Sequence, residues 1–160
     1  MAFSIQQIKN GNSLHLVLGG AFDEDVNLKD LPKSGMTQLS IDFEKMEVIN
    51  SCGIREWIGW ILNFKSETQI TFSKIPKVFV IQMNTVVGMF PPHTHVKSFF
   101  VPYVCENCNL FKNLLFTNGM EFKDGTLSRE LDFKCDNCNE PLEMDIIESK
   151  YFRFIKEARG

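Results

Sequence analysis

Hydrophobic and polar residues alternate with a period of two in four short segments, which is the pattern of half-buried β-strands. The predicted strands are 3–9, 13–18, 38–43 and 69–73. Between the first two lies Asn10-Gly11-Asn12, and Asn-Gly is a strong signal for a hairpin turn. The first two strands are therefore predicted to pair with each other, and 96–104 is predicted to be a further extended segment.

A helical period of hydrophobic residues marks the segment 53–65. Its stripe falls at i, i+3, i+4, i+7 and i+8 and consists of Ile54, Trp57, Ile58, Ile61 and Leu62. Asn50 or Ser51 is predicted to cap this helix, because either side chain accepts hydrogen bonds from N–H groups of a first turn. A second helix is predicted over 77–87, and the polar segment 22–35 is predicted to be a short helix or a turn.

The order of these elements predicts an α/β fold with a mixed sheet, because alternating strands and helices are joined by parallel crossovers. After residue 104 the pattern changes to paired cysteines, short strands and a final amphipathic helix over 146–159. We therefore predict two domains, 1–103 and 104–160, with the helices of the first domain packed against its sheet.

Composition and charge narrow the classes of function. Of the 160 residues, 44% are hydrophobic and 23% are charged, which is ordinary for a globular protein. The net charge of −3 argues against a nucleic-acid-binding protein, which needs a basic face. No secretory signal is visible at the start of the sequence, and no apolar run approaches the ~20 residues that span a bilayer. We expect a cytoplasmic protein without a membrane span.

Two Cys-x-x-Cys pairs, separated by 26 residues, comprise Cys105, Cys108, Cys135 and Cys138. Each pair presents two sulfurs on one side of a turn, and together they supply the four thiolates that zinc prefers. We predict one structural Zn²⁺ in a zinc ribbon, because four thiolates leave no coordination position open for catalysis. The residues between the pairs are predicted to form an extended hairpin, with strands over 110–116 and 131–134.

Disulfides, unrelated buried thiols and a redox-active pair are the alternatives for these cysteines. In a reducing compartment, paired Cys-x-x-Cys motifs favour a metal over disulfides. A redox-active pair normally follows a strand and opens a helix, so it is the weaker interpretation. The charges between residues 105 and 140 are mixed in sign, which argues against a ribbon that binds nucleic acid.

A junction between a strand and a helix is predicted at Asn50-Ser51-Cys52-Gly53-Ile54, within SIDFEKMEVINSCGIREWIGWI. This junction resembles the Asp-Ser-Ser-Gly-[Leu/Ile] motif that follows the third strand of anti-sigma factor antagonist (STAS) domains. The later stretch VFVIQMNTVVGMF resembles the helix and following loop near the C-terminus of that family. The resemblance covers about residues 3–101, and the cysteine-containing tail lies outside the family pattern.

The resemblance implies a STAS-like fold and a non-enzymatic module for protein–protein signalling in bacterial transcription regulation. Such domains bind a serine kinase that is also an anti-sigma factor, and phosphorylation of the junction serine breaks the complex. Here Asn50 stands at the position of the family's aspartate, and Cys52 stands at the position of its phosphoacceptor serine. A thiol is not a substrate of a serine kinase, so Ser51 is the remaining candidate for phosphorylation.

The predicted regulatory surface consists of Asn50, Ser51, Cys52, Gly53 and Arg55. Within it, Cys52 has two interpretations: a redox-sensitive thiol favoured by the helix N-terminus and Arg55, or a small inert residue in a tight junction.

Other functions remain open as alternatives. The second hypothesis is an accessory enzyme subunit or a nucleic-acid-associated factor that works through its zinc ribbon. A third alternative is a STAS-like domain that binds a small ligand or nucleotide at the helix N-terminus. No Gly-rich phosphate loop or Ser-His-Asp arrangement is recognisable, so no enzymatic activity is predicted. An exposed Trp60 would permit a homodimer.

Overall fold

A computed structural model describes residues 1–158, and within them five strands form one sheet. The strands are β1 (Ser4–Asn10), β2 (Ser13–Phe22), β3 (Gln38–Ile49), β4 (Gln69–Ser73) and β5 (His95–Val96), and they lie side by side in that order. β1 is antiparallel to β2, while β2 to β5 are parallel to one another. The predicted hairpin and mixed sheet are therefore confirmed. The segment 22–35 contains turns and no helix.

Two helices connect the parallel strands and cover the same face of this sheet. They are α1 (Ser51–Ile61) and α2 (Lys77–Thr85), close to their predicted positions. Phe43 of β3 contacts Trp57 of α1 and Phe79 of α2, with ring centroids 5.6 and 4.5 Å away. The opposite face of the sheet is polar and half-exposed, and its central row consists of His15, Ser40, Thr71 and His95. The first sheet is thus a two-layer arrangement with one uncovered face.

The buried face of α1 is rotated relative to the predicted stripe. Its buried residues are Gly53, Trp57, Trp60 and Ile61, whereas Ile54 and Ile58 are half-buried and Leu62 is 38% exposed. The tryptophans decide this orientation, because they are the largest side chains and each indole N–H reaches a backbone carbonyl. Trp57 donates to Met89 over 2.7 Å and Trp60 donates to Pro32 over 3.0 Å. Trp60 is 2% exposed, so the expectation of an exposed aromatic there was wrong.

A second sheet follows and continues the core. It is built from β6 (Ser98–Cys105) and β7 (Leu110–Thr117), with a small hairpin of β8 (Phe122–Lys123) and β9 (Thr126–Leu127) beside it. The outer partner of β6 is β10 (Glu143–Met144), so the order is β10-β6-β7. The predicted strand over 131–134 was wrong: it forms only an isolated bridge between Lys134 and Pro141. Its Phe133 packs on Tyr103 and Phe116 instead of joining the sheet.

The C-terminal segment forms two short helices instead of one, α3 (Glu148–Tyr151) and α4 (Arg153–Glu157). Asn84 of α2 explains the break, because its side chain takes two backbone groups out of the helical ladder. It donates to the Tyr151 carbonyl over 2.8 Å and accepts from the Phe154 N–H over 2.8 Å. The predicted helix 146–159 reaches one residue beyond the described part of the chain.

The two sheets share one hydrophobic core. Phe99 of β6 lies at its centre on the second side and contacts a ring of aromatic side chains: Phe116, Phe122, Tyr151, Phe152 and Phe154. α2 packs against β6, α3 and α4, which joins this ring to the first sheet. The predicted boundary near residue 103 falls inside β6, and the division into two domains stays a prediction.

No helix within residues 1–158 is long and apolar enough to span a membrane.

Two glycines of α1 provide a matched pair for testing this packing. A Cβ on Gly53 would lie 2.1 Å from the carbonyl oxygen of Phe22, whereas a Cβ on Gly59 meets no atom within 4 Å. We expect Gly53→Ala to lower the free energy of unfolding by about 1–3 kcal/mol, because backbone must move. Gly59→Ala should instead raise it by about 0.5–1 kcal/mol. Denaturant unfolding measures both, and equal effects at the two positions would contradict the packing of α1 on β2.

Candidate metal centre and strand–helix junction

Two structurally equivalent turns carry the four cysteines. The first follows β6 and contains Cys105 and Cys108, and the second contains Cys135 and Cys138. Each turn closes on an asparagine in the left-handed region, with φ of 57° at Asn109 and 62° at Asn139. The N–H of that asparagine donates to the carbonyl of the first cysteine, over 2.7 and 2.9 Å respectively. Asparagine tolerates this conformation, which explains the repeated Cys-x-Asn-Cys-Asn pattern.

The two turns bring all four sulfurs together. The Sγ atoms lie within 4.8 Å of one another, and those of Cys105 and Cys138 are 3.5 Å apart. Four sulfurs about 2.3 Å from one ion would be about 3.8 Å apart in a tetrahedron. All four thiols are free, and a disulfide would need sulfurs about 2.05 Å apart. The cluster is therefore compatible with a metal site and confirms that the predicted ligands converge.

Hydrogen bonds to sulfur hold this arrangement. The N–H of Cys108 donates to Sγ of Cys105, and the N–H of Asn137 donates to Sγ of Cys135, each over 3.4 Å. The Asn137 side chain also donates to Sγ of Cys108 over 3.2 Å, which ties one turn to the other. Donors of this kind stabilise the charged thiolate, the form that binds a metal.

Cys138 is the sulfur most favoured as a thiolate. A hydrogen bond from the Asn107 side chain, together with one from the backbone of Glu140, lowers the pKa of Cys138 to about 6. An ion pair between Lys112 of β7 and Asp136 then links the second turn to the second sheet. The cluster is thus anchored to the sheet by hydrogen bonds and charge as well as by the chain itself.

The strand–helix junction is built around the side chain of Asn50. Its Oδ1 accepts from the N–H groups of Cys52 and Gly53 over 3.0 and 3.1 Å, which confirms Asn50 as the cap of α1. Its Nδ2 donates to Glu24 over 3.2 Å, and its N–H donates to the carbonyl of Phe22 over 2.9 Å. The junction therefore lies at the carboxyl ends of β2 and β3, which are parallel neighbours.

The junction residues divide into exposed and structural ones. Ser51, Cys52 and Arg55 are exposed, whereas Gly53 is buried against the backbone of Phe22. Ser51 is the first residue of α1, where a bound or covalent anion interacts favourably with the helix N-terminus. A glycine is required at position 53 because two backbones approach closely there. The sequence gives only a weak sign of this requirement, namely a glycine between a predicted strand and a predicted helix.

An apolar surface beside the junction was not predicted from the sequence. Ile54, Ile58 and Leu62 form an outward stripe on α1, which we call the α1 stripe. The loop after α2 lies against it, because a Cβ on Gly88 would be 3.4 Å from both Ile58 and Leu62. Val87 in that loop is 96% exposed. The helical period predicted the stripe residues as core, whereas the structure leaves Ile54 and Ile58 half-buried and Leu62 38% exposed.

Comparison with known proteins assigns neither site. No protein-family model, curated protein or solved structure matches this chain. The resemblance to anti-sigma factor antagonists stays a prediction.

Removal of one buried ligand tests the metal centre. We expect purified, reduced wild-type protein to carry one metal ion per chain and Cys135→Ser to lose it, because three sulfurs bind far more weakly than four. The variant should also unfold at a lower denaturant concentration, by several kcal/mol of stability given the roughly 10–16 kcal/mol of structural zinc binding in small domains. Elemental analysis and denaturant unfolding provide the two measurements.

Cys52→Ser is the matched control, because Cys52 is exposed and outside the cluster. It should keep the full metal content. Wild-type protein without metal, or a Cys135→Ser variant that retains all of it, would contradict the assignment.

Proposed function

We propose that this protein is a non-enzymatic regulatory module that binds another protein, as anti-sigma factor antagonists do, and that a structural zinc ion stabilises its second sheet. The partner class that the resemblance suggests is an anti-sigma factor or serine kinase. The observation that carries the proposal is a partly exposed apolar stripe on the outer side of α1, which continues directly from an exposed, capped helix N-terminus.

Zinc is the proposed ion because of the donor set. Four cysteine sulfurs without a histidine or carboxylate among them are typical of structural zinc sites. Such a site has no position for water or substrate, so its role is to hold the two turns together. The proposed work of the ion is mechanical: it fixes the ends of β6 and β7 relative to the segment that returns from Phe133.

The partner surface consists of the exposed junction residues Ser51, Cys52 and Arg55 together with the α1 stripe and Val87. Beyond Leu62 it opens into a groove of about 520 Å³, whose lining includes Val86, Val87, Phe90 and Arg153. An apolar centre with a cationic and polar rim is the usual composition of a protein–protein interface. A single face of α1 would therefore supply both the contact area and the charged residue that orients the partner.

A phosphate on Ser51 would add a charge of about −1.5 to −2 at the edge of this surface. The helix N-terminus would accept it without loss of fold, since anions are stabilising there. Glu24 lies beside the junction, because its side chain accepts a hydrogen bond from Asn50. The phosphate would therefore add to a negative charge that is already present, and the two together would repel an acidic partner. Phosphorylation would then weaken binding through the partner surface while the helix remains intact.

A charge at Ser51 tests this proposal. We expect Ser51→Asp to reduce capture of the partner from native bacterial lysate by at least about tenfold, because an interfacial charge mismatch costs more than 1.4 kcal/mol. The α1 helix should remain folded, because Asp in a first turn stabilises a helix by about 0.3–1 kcal/mol. Quantitative mass spectrometry of the captured proteins and a melting curve of the variant give both results.

Ser66→Asp is the matched control, because Ser66 is also an exposed serine but lies in the turn before β4. It should capture the same proteins as the wild type. Leu62→Lys places a charge within the α1 stripe and should reduce capture as Ser51→Asp does. If all three variants and the wild type capture the same proteins, the proposed surface is not the binding site.

A further inference from the structure

The outer edge of β7 has the properties of a self-pairing strand. β7 is eight residues long and lies at the end of the order β10-β6-β7. It contains no proline and no register shift against β6. Its one charged residue, Lys112, is turned to the Asp136 side of the sheet by their ion pair. β7 therefore lacks proline and bulges, and its single lysine lies on the opposite face of the sheet from Phe111, Asn113 and Leu115.

The hydrogen-bond pattern of β6 identifies which groups of β7 face outward. The N–H of Asn118 donates to the Lys97 carbonyl, so the pair 97/118 is hydrogen-bonded and bonded pairs alternate from there. Pro102, which has no N–H, occupies an unbonded pair opposite Asn113, as this alternation requires. The Phe100 N–H also points away from β7, because it donates to Ile75. The backbone groups of Phe111, Asn113 and Leu115 therefore point to the open edge.

Nothing in the described chain pairs with these groups. Thr117 ends the edge, because its N–H donates to Glu121 and its carbonyl accepts from Met120. No other backbone or side-chain hydrogen bond within residues 1–158 reaches the outward N–H and C=O groups of Phe111, Asn113 or Leu115. The side chains of the same three residues lie on one face of the sheet, where Phe111 is 73% and Leu115 is 41% exposed.

We propose that two copies of this chain pair antiparallel through β7, with Asn113 on the two-fold axis, to form one continuous six-stranded sheet. In this register Phe111 lies opposite Leu115 of the second copy, and Asn113 lies opposite its own equivalent. All outward N–H and C=O groups of the three residues are then paired. An aromatic ring against an aliphatic side chain on each side of the axis is a favourable cross-strand pair.

Other registers are less complementary. A two-fold axis on Lys112 would place two lysines directly opposite each other, which is destabilising. An axis on Leu114 would pair Phe111 with Thr117, whose backbone groups are already bonded. The axis on Asn113 instead places Lys112 opposite an uncharged Leu114. Self-complementarity of one strand about one residue is the reason for choosing a second copy as the occupant, rather than an unrelated peptide.

Proline at the centre of the edge tests the interface without breaking the fold. Asn113→Pro removes an N–H that β6 does not use, so the monomer should keep its metal content and its melting temperature within a few degrees. We expect sedimentation equilibrium to show a dimer for the wild type and at least a ~100-fold higher dissociation constant for Asn113→Pro. Asn113→Thr is the matched control and should remain dimeric, because threonine keeps the N–H and suits a strand.

Cross-linking tests the register. In a Cys52→Ser background, Asn113→Cys places two thiols opposite each other on the axis, and a short thiol-specific cross-linker should join them. Leu115→Cys places its two thiols about 13 Å apart along the strands and should react much less. A wild type that stays monomeric up to about 1 mM, the weak end of measurable association, would overturn the proposal. Equal cross-linking at both positions, or a dimer that Asn113→Pro leaves unchanged, would also overturn it.

Discussion

The structure depends on β6, which joins the two sheets and contacts β4, β7, β10 and α2. β7 and β10 pair with its two edges, and its N-terminal half is bonded to the first sheet through Ile75. Phe99 lies at the centre of the aromatic core on one face of β6, and Cys105 at its end is the first residue of the cysteine cluster. Because these roles fall on one strand of eight residues, the position of the cysteine cluster is fixed by the same hydrogen bonds that join the sheets.

The packing of α1 determines which of its residues lie on its outer side. Gly53 allows the helix to approach the backbone of Phe22, and both tryptophans then turn their indole N–H groups to carbonyls in the interior. Ile54, Ile58 and Leu62 remain on the outer side as a consequence. Because Gly53 has no side chain, α1 packs closely on this side, and the residues on the opposite side of the helix form the surface of the proposed docking site.

The cysteine cluster and the strand–helix junction differ in their arrangement. The cysteine cluster joins two turns that are distant in sequence, and hydrogen bonds to its sulfurs hold the turns together. The junction joins a strand to a helix and leaves Ser51, Cys52 and Arg55 in solvent. In the proposed regulatory module, the cluster would preserve the shape of the second sheet and the exposed helix terminus would meet the partner.

Features that depend on residues close together in the chain were predictable without the structure: the Asn-Gly hairpin, the Asn50 cap, both longer helices and the pairing of cysteines within each turn. Tertiary contacts alone decided the rest. The helical period of α1 was compatible with two faces, and tryptophan burial chose between them. The side chain of Asn84 divided an otherwise continuous helical pattern at Phe152, over a separation of about 70 residues. The segment around Phe133 had the alternation of a strand and was predicted to pair with β7. Instead β7 pairs with β6, and Phe133 packs on Tyr103 and Phe116, because hydrogen-bond partners are assigned by the whole sheet and not by one segment.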